Sequence, residues 1–487
     1  MFQKILFVLV VMAPNAFAFE SKPNWVSDLP REDVIRMLGA PAPTDSLEYS
    51  ADSELGSNLP ASIDWRNKDG VNYLGKVMNQ GNCGSCVAFA SIATLEGQFS
   101  IATGIPSLKP TFSPQALFAC GGGGCDRGWQ PSSAASFLKS TGAVDEACMP
   151  YTSGSTGDDA SCSDRCSNAS ERTFKISDST HPSGGIFGGG KGSMESVKAA
   201  LLKGPLLTTL TVYQDFLTYS SGVYLHSKGS ALGGHAVSLV GYDDSKKAWL
   251  VRNSWGEEFG EKGYIWVSYA DKSGIGSQTW GFNVQPKGTL AITTPSDRQF
   301  VSGKQSFMAQ GDSDASFYLS GNGKGDVSID CAPMASVTDE KMCSAEVDTT
   351  TLPEGRYEIY AMSKTTHLRS QVREFFVLNN EPKMEISFAP VAGLDLSKPV
   401  KDRPVFAVKT KTNSTVPMQY VEFRVLDAHG NIVSRKGNEY VLPAMKMGWR
   451  SNTLPNGTYS ILFHGEINYN GKLYSVDSPA VKITTKN

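Results

Sequence analysis

Apolar side chains recur along this chain with two different periods, and the change divides it. Ile5 to Met12 form one unbroken apolar run behind Lys4. Between Pro30 and Gly39 the apolar residues of Leu29 to Leu38 recur at helical spacing, with proline at the start and glycine past the end. A second helix is predicted from Cys86, where Val87, Ala88, Phe89, Ile92, Leu95 and Phe99 build an apolar surface until Gly104 stops it. Strand patterns follow at Ala236 to Val240, Ala248 to Val251 and Tyr264 to Val267. From about Pro286 helical spacing disappears, and short alternating runs separated by Gly, Pro, Asn and Asp take over. Ser316 to Leu319, Tyr357 to Ala361 and Glu374 to Val377 form one set. Val405 to Val408, Tyr420 to Leu426, Ile432-Val433, Tyr459 to Phe463 and Val481 to Ile483 form another, beyond a linker-like Asn379-Asn380-Glu381-Pro382. Leu352 to Tyr357 and Leu454 to Tyr459 repeat one turn-into-strand pattern, LPxGxY, 102 residues apart. That period suits two tandem β-sandwiches of about 100 residues each. The expected architecture is therefore an α+β domain with a helical and a β half, followed by two all-β domains of immunoglobulin-like sandwich type at 286–380 and 381–487.

Composition changes this picture in two places. The 487 residues carry a net charge of −3 with no long run of one sign, which gives no reason to expect a nucleic-acid partner. Lys4, the short apolar run and Ala16-Phe17-Ala18 read as a signal peptide over residues 1–18. The run is too short for a bilayer, which needs about 20 residues. With no other segment expected to cross a membrane, export of the mature chain is predicted. Nine cysteines fit an extracellular or other oxidising compartment.

The candidate chemistry centres on Gln80-Gly81-Asn82-Cys83-Gly84-Ser85-Cys86. A thiol at a helix mouth sits where unpaired backbone N–H groups favour the nucleophilic thiolate. Gly233-Gly234-His235-Ala236-Val237 and Val251-Arg252-Asn253-Ser254-Trp255-Gly256 lie far downstream. Cys86, His235 and Asn253 make a nucleophile, its base and the orienter of that base. Cys83 and Cys86 alone could instead be a redox pair or half a zinc site. Neither explains the two downstream blocks, and a second C-x-x-C is missing, so no metal or cofactor is expected. Gly185 to Ser193 fails the phosphate-loop pattern because Gly192 follows Lys191.

QGNCGSC, GGHAV and RNSWG resemble the three signature blocks of papain-like cysteine peptidases, with His235 149 and Asn253 167 positions after Cys86. DEACMPY at Asp145 to Tyr151 and the stretch from Ser183 to Tyr224 are most similar to cathepsins B and C. The resemblance covers roughly Leu59 to Val284, and a two-lobed peptidase domain at 59–285 is what it implies. It further implies that Gln80 donates its amide to the oxyanion, and that Gly128, Trp129, Thr209, Ala236 and Trp255 contact substrate. Trp255 would also shield the His235–Asn253 hydrogen bond. With no carboxylate evident in the second subsite, an apolar guest is expected there. The same resemblance pairs Cys83 with Cys125, Cys120 with Cys162 and Cys148 with Cys166. That leaves Cys331 and Cys343, in a separate domain, for each other. Residues 19–58 would be a short pro-segment crossing the cleft backwards. Two departures stand out: Val87 replaces the tryptophan usual after the nucleophile, and Asp126-Arg127-Gly128-Trp129 stands where Asn-Gly-Gly-Tyr is usual. The expected activity is a secreted cysteine endopeptidase acting on protein or peptide substrates. The alternatives are a cathepsin C-like aminodipeptidase and an adhesion protein with a vestigial peptidase domain. The C-terminal modules are open to binding a surface or protein ligand, or to acting as spacers.

Overall fold

The computed structural model describes residues 19–44, 59–104, 109–183, 193–285, 290–321, 324–334, 341–365, 369–391, 394–401, 404–412, 416–441, 444–449, 451 and 454–486. The signal-like residues 1–18, the polar stretch 45–58 and the glycine run 184–192 lie outside the described residues.

The piece after Pro30 forms α1 (Arg31–Met37), which buries Val34 and Met37, and Leu38 just beyond it, in the core of the first half. Each such side chain contributes about 1.5–3 kcal/mol of burial. Cys86 opens α2 (Cys86–Thr103), and Gly104 ends it in the left-handed conformation with its N–H on the Ile101 carbonyl. Here the sequence promised one apolar face, yet α2 is buried all round, with Ser91, Thr94, Glu96 and Gln98 enclosed as well. Those polar residues find partners inside: Thr94 meets Ser238 at 2.9 Å, and the Gln98 amide donates to the Pro205 carbonyl at 2.9 Å. By length and apolarity α2 passes for a membrane span, but its burial marks it as a core helix. Around it stand α3 (Pro114–Gly121), capped by the Ser113 hydroxyl, and α4 (Pro131–Ser140), with the single turn α5 (Ser153–Thr156) at the edge.

The β half is a mixed, mostly antiparallel sheet crossed on one face by α2, with α6 (Met194–Leu201) packed on its longest strand. Chain order gives β1 (Glu20–Ser21), β2 (Ser62–Asp64), β3 (Asp178–Thr180), β4 (Leu206–Tyr213), β5 (Tyr219–Ser221), β6 (Val223–Tyr224), β7 (Ala231–Asp243), β8 (Ala248–Arg252), β9 (Tyr264–Ser268) and β10 (Thr279–Asn283). The sheet runs β3-β10-β4-β7-β8-β9-β6, with β2 on the end of β7. The predicted strand at Ala236–Val240 is the middle of the much longer β7, whose register sets His235 opposite Leu210 and Ala236 opposite Thr209. Disulfides join Cys83 to Cys125, Cys120 to Cys162, Cys148 to Cys166 and Cys331 to Cys343, leaving Cys86 as the free cysteine.

Beyond residue 290 every alternating run singled out above lies in a strand. Each of two units lays two sheets over one core, the first around Phe307, Phe317 and Phe375, the second around Phe406, Phe423 and Phe463. Strands pair antiparallel except where Gln299–Val301 runs parallel to Arg373–Val377, and an isolated parallel bridge joins Val400 to Thr485. The LPxGxY repeat makes the same contact twice: Tyr357 donates its hydroxyl to the Pro353 carbonyl at 2.9 Å, and Tyr459 to that of Pro455 at 3.0 Å. The linker expected at Asn379–Pro382 is tied down rather than loose. Asn379 donates to the Thr349 carbonyl of one unit at 2.8 Å and its own carbonyl accepts from Tyr469 of the other at 3.2 Å.

Buried charges join the first half to the first of these units. Arg172 pairs with Asp145 at 2.5 Å and reaches Glu358 at 3.1 Å, while Arg298 lies between Glu146 at 3.5 Å and Glu374 at 3.3 Å. Burial pushes the Glu146 carboxyl up to about 8 against the weaker pull of Arg298. A long contact of 3.5 Å does not repay the loss of water around a carboxylate.

Candidate active site

Cys86 lies at the first turn of α2, where nearby backbone groups, that of Ala236 on the facing strand first and those of Val87 and Cys86 itself after it, act to lower the thiol pKa. His235 precedes Ala236 on β7, so nucleophile and imidazole come from opposite walls of one cleft. The imidazole Nε2 sits 2.8 Å from Asn253 Oδ1, and the Ser254 backbone N–H donates to that same oxygen at 2.8 Å. A backbone N–H can only donate, so this atom is the amide oxygen and Nε2 must carry the proton. Nδ1 is left as the acceptor; it is buried and has no hydrogen-bond partner among the described residues. The Trp255 ring covers the imidazole, with ring centres 4.8 Å apart.

Gln80 is fixed just as firmly. Its Nε2 donates to the Met37 and Cys83 carbonyls, each at 2.9 Å, and its Oε1 accepts from Ser254 Oγ at 2.7 Å. Tyr151 donates to the Gln80 carbonyl at 2.8 Å and meets Ser85 Oγ at 2.7 Å, bracing the loop from behind. Ser254 and Tyr151 are the residues that sequence reasoning missed. Ser254 stood inside the quoted RNSWG block and Tyr151 inside DEACMPY, but nothing in either motif says that both hold Gln80.

Residues 19–44 cover this site. Phe19 packs on Tyr219 and Tyr224, β1 pairs with β5, and Trp25 Nε1 donates to the Trp255 carbonyl at 3.1 Å. Arg36 reaches Asp126 and the Gly157 carbonyl, both at 2.5 Å. Gly39 then passes over the thiol, its N–H donating to the Met37 carbonyl at 3.1 Å and its carbonyl accepting from the Trp129 N–H at 2.8 Å. Ala40 donates to the Gly234 carbonyl at 3.2 Å. The crossing works only with bare backbone. A Cβ on Gly39 would collide with the Gly84 carbonyl, and one on Gly128 with the Gly39 carbonyl.

Under this cover the pKa values move apart from those of an ion pair. Burial pushes the Cys86 thiol up to about 11 and the His235 imidazole down to about 4, so both groups are neutral at neutral pH.

The expected substrate contacts divide. Thr209 and Ala236 sit side by side, with Thr209 Oγ1 donating to Gln278 Oε1 at 3.4 Å. The Trp129 ring turns away into the helical core against Phe118 and over Gly121, so only its backbone faces the cleft. Arg127 folds back onto the Gly122 and Gly123 carbonyls at 3.2 and 2.9 Å. Among the described residues no group of His, Cys, Asp or Glu side chains could hold a metal ion.

A family profile described as "Papain family cysteine protease" matches residues 59–281. The chain is 34% identical over 276 residues to cathepsin B-like CP3 of Giardia intestinalis, covering 53% of this chain and 89% of that protein. Against cathepsin B-like cysteine proteinase 4 of Caenorhabditis elegans it is 30% identical over 238 residues, covering 42% and 70%. Among solved structures, procathepsin B S9 of Trypanosoma congolense aligns with a TM-score of 0.43 at 23% identity, covering 53% of this chain and 89% of that one.

Proposed function

Because this chain belongs to the papain family of cysteine proteases, with cathepsin B-like relatives, we propose that it is an endopeptidase working through Cys86, His235, Asn253 and Gln80, and exported as a zymogen. The observation that carries the reading is the Asn253–His235 hydrogen bond, which leaves Nδ1 free to take the thiol proton. The resulting thiolate attacks the scissile carbonyl. The oxyanion forms against the Cys86 backbone N–H and the Gln80 amide, donors already in place before charge develops. His235 then protonates the leaving amine from Nδ1, and afterwards draws a proton from the water that releases the acyl group. An assembled set of four such residues speaks against a vestigial domain.

Residues 19–58 act as the pro-segment. The Met37 carbonyl takes the Gln80 donor that an oxyanion needs, and the Gly39 backbone lies on the nucleophile. Cutting near Leu59 would uncover the site and readmit water, moving Cys86 and His235 back towards a thiolate–imidazolium pair. Four disulfides and the family fit an exported, oxidising compartment, with residues 1–18 as signal peptide. The peptidase domain spans 59–285, and 286–380 and 381–487 are immunoglobulin-like modules; the paired Tyr357 and Tyr459 corners support that reading.

The test is labelling of Cys86 by a thiol-reactive peptide probe, in the precursor and after cleavage near Leu59. Slow labelling that becomes fast on cleavage is expected. Equal rates would reduce 19–58 to an N-terminal arm, and the absence of any peptide hydrolysis after cleavage would sink the endopeptidase reading.

A further inference from the structure

Tyr151 stands behind both oxyanion donors, and the stretch that carries it is gripped by the first β-unit. Its one hydroxyl proton goes to the Gln80 carbonyl at 2.8 Å, so in the 2.7 Å contact with Ser85 the serine donates. Gln80 bears one oxyanion donor in its side chain. The peptide after Ser85 bears the other, the Cys86 N–H. The edge of the Tyr151 ring rests on Phe89 of α2, with ring centres 4.6 Å apart. One side chain thus joins the two residues to which both donors are attached.

The Tyr151 backbone is held from within its own stretch. Its N–H donates to Glu146 Oε1 at 2.9 Å, and the Cys148 N–H donates to Asp145 Oδ1 at 3.1 Å. Three successive residues of that stretch meet the first β-unit. Glu358 on strand Gly355–Ser363 binds Arg172 at 3.1 Å, and Arg172 holds Asp145. Arg298 reaches Glu146 at 3.5 Å, on the same oxygen that takes the Tyr151 N–H. Arg356, two residues before Glu358, donates to the Ala147 carbonyl at 3.3 Å. Anchors from the helical half hold the residues on either side of Tyr151. Ser113 Oγ donates to the Met149 carbonyl at 2.6 Å, and Gln115 Oε1 accepts from the N–H groups of Thr152 and Ser153 at 2.9 and 3.0 Å. The Tyr151 N–H itself goes to the carboxyl that the β-unit touches.

We propose that the first β-unit positions the oxyanion donors, its Arg298, Arg356 and Glu358 setting the 145–151 stretch and, through Tyr151, Gln80 and the Cys86 N–H. This deepens the endopeptidase reading above and rests on it. The three are positioning residues, since each acts through Asp145, Glu146 or Ala147. A donor slightly out of place gives less stabilisation to charge that appears only in the transition state, while ground-state contacts to the peptide persist. Loosening the docked unit therefore lowers kcat and spares KM. On this account the unit is a working part of the enzyme and more than a spacer.

The experiment uses the full chain matured by cleavage near Leu59, its active sites counted with the thiol probe. The main variant joins Arg356→Ala to Glu358→Ala, which removes one charge of each sign from partly exposed side chains. Its kcat should fall about fivefold with KM little changed, a fraction of what one whole oxyanion donor supplies. Affinity for a peptide aldehyde, whose thiol adduct sets an oxygen against the same donors, should fall by a similar factor. Alkylation of Cys86 by iodoacetamide forms no oxyanion and should keep the parent rate. Tyr151→Phe should lower kcat about tenfold, and adding the alanine pair to it should lower kcat little further, because both act on one line of contacts. Arg298→Ala gives the same pattern from the buried contact; should it fail to fold, the alanine pair still decides. An unmoved kcat in the alanine pair, alkylation slowed in step with kcat, or losses that multiply with Tyr151→Phe overturns the proposal and leaves the endopeptidase reading intact. A parent that hydrolyses no peptide overturns both.

Discussion

The two halves of this chain both bury polar atoms without partners, but distribute them differently. Among the described residues, His235 Nδ1, Arg252 Nη1, Asn253 Nδ2 and Trp255 Nε1 in the first half are all buried without hydrogen-bond partners, and three of the four lie within one short stretch. Leaving such groups out of water costs about 1–3 kcal/mol each. In the second half, most backbone polarity is absorbed by ladders, and buried side chains such as Ser363, Thr349 and Ser370 end on neighbouring loops or strands. The difference teaches where to look for chemistry. Unpaired buried atoms occur in both halves, Arg373 Nη2 and Trp449 Nε1 among them in the second, but among the described residues only the first half gathers several around the base of a candidate catalytic set.

The sharpest way to break the contrast is to remove the atom around which the first half is arranged. Cys86→Ala should lower peptide hydrolysis on the order of 10⁴-fold or more, with the melting midpoint near that of the parent. Substantial turnover by the folded variant would mean that the cluster around His235 serves packing alone. Next in size is the donor. Gln80→Ala should reduce kcat about 10²–10³-fold, with KM for short peptides changed far less. An effect confined to KM would assign Gln80 to ground-state binding. The smallest effect tests the boundary between the halves. Glu146 has its folded pKa raised from 4.5 to about 8, chiefly by burial. Its contribution to stability is thus fully present below about 4.5 and lost as pH rises through about 8. Glu146→Gln should flatten that decline, raising the melting midpoint at pH 8 by about 2–4 °C relative to the parent while changing it little at pH 4. A parent whose stability does not fall between these pH values would contradict the burial of that carboxyl.

How much of this was legible in the sequence depends on how local each cause is. The α2 helix and its stop were readable because spacing and Gly104 act within a few residues of one another. The LPxGxY corners were readable for the same reason. Complete burial of α2 was not, since it comes from the sheet and from α3 and α4 closing on it, and no single period encodes three neighbours. The Trp129 ring was expected in the cleft, but Gly121 leaves a gap in the helical core that the indole fills. The Arg172, Arg298 and Glu146 contacts were invisible because their partners lie far away in sequence, on a unit whose docking the pattern of short strands does not specify. Of the site itself, residue types and order were plain. The bracing of Gln80 by Ser254 and Tyr151 required the fold.

The bare-backbone crossing at Gly39 also bears on heredity and on inhibitor chemistry. On the pro-segment reading, any replacement of Gly39 sets a side chain against the Gly84 carbonyl and is expected to loosen the cover. A synthetic compound meant to occupy this enzyme faces the same geometry. It must offer an unsubstituted methylene over the sulfur, with a carbonyl turned to the Trp129 N–H, and place its bulk on either side of that notch.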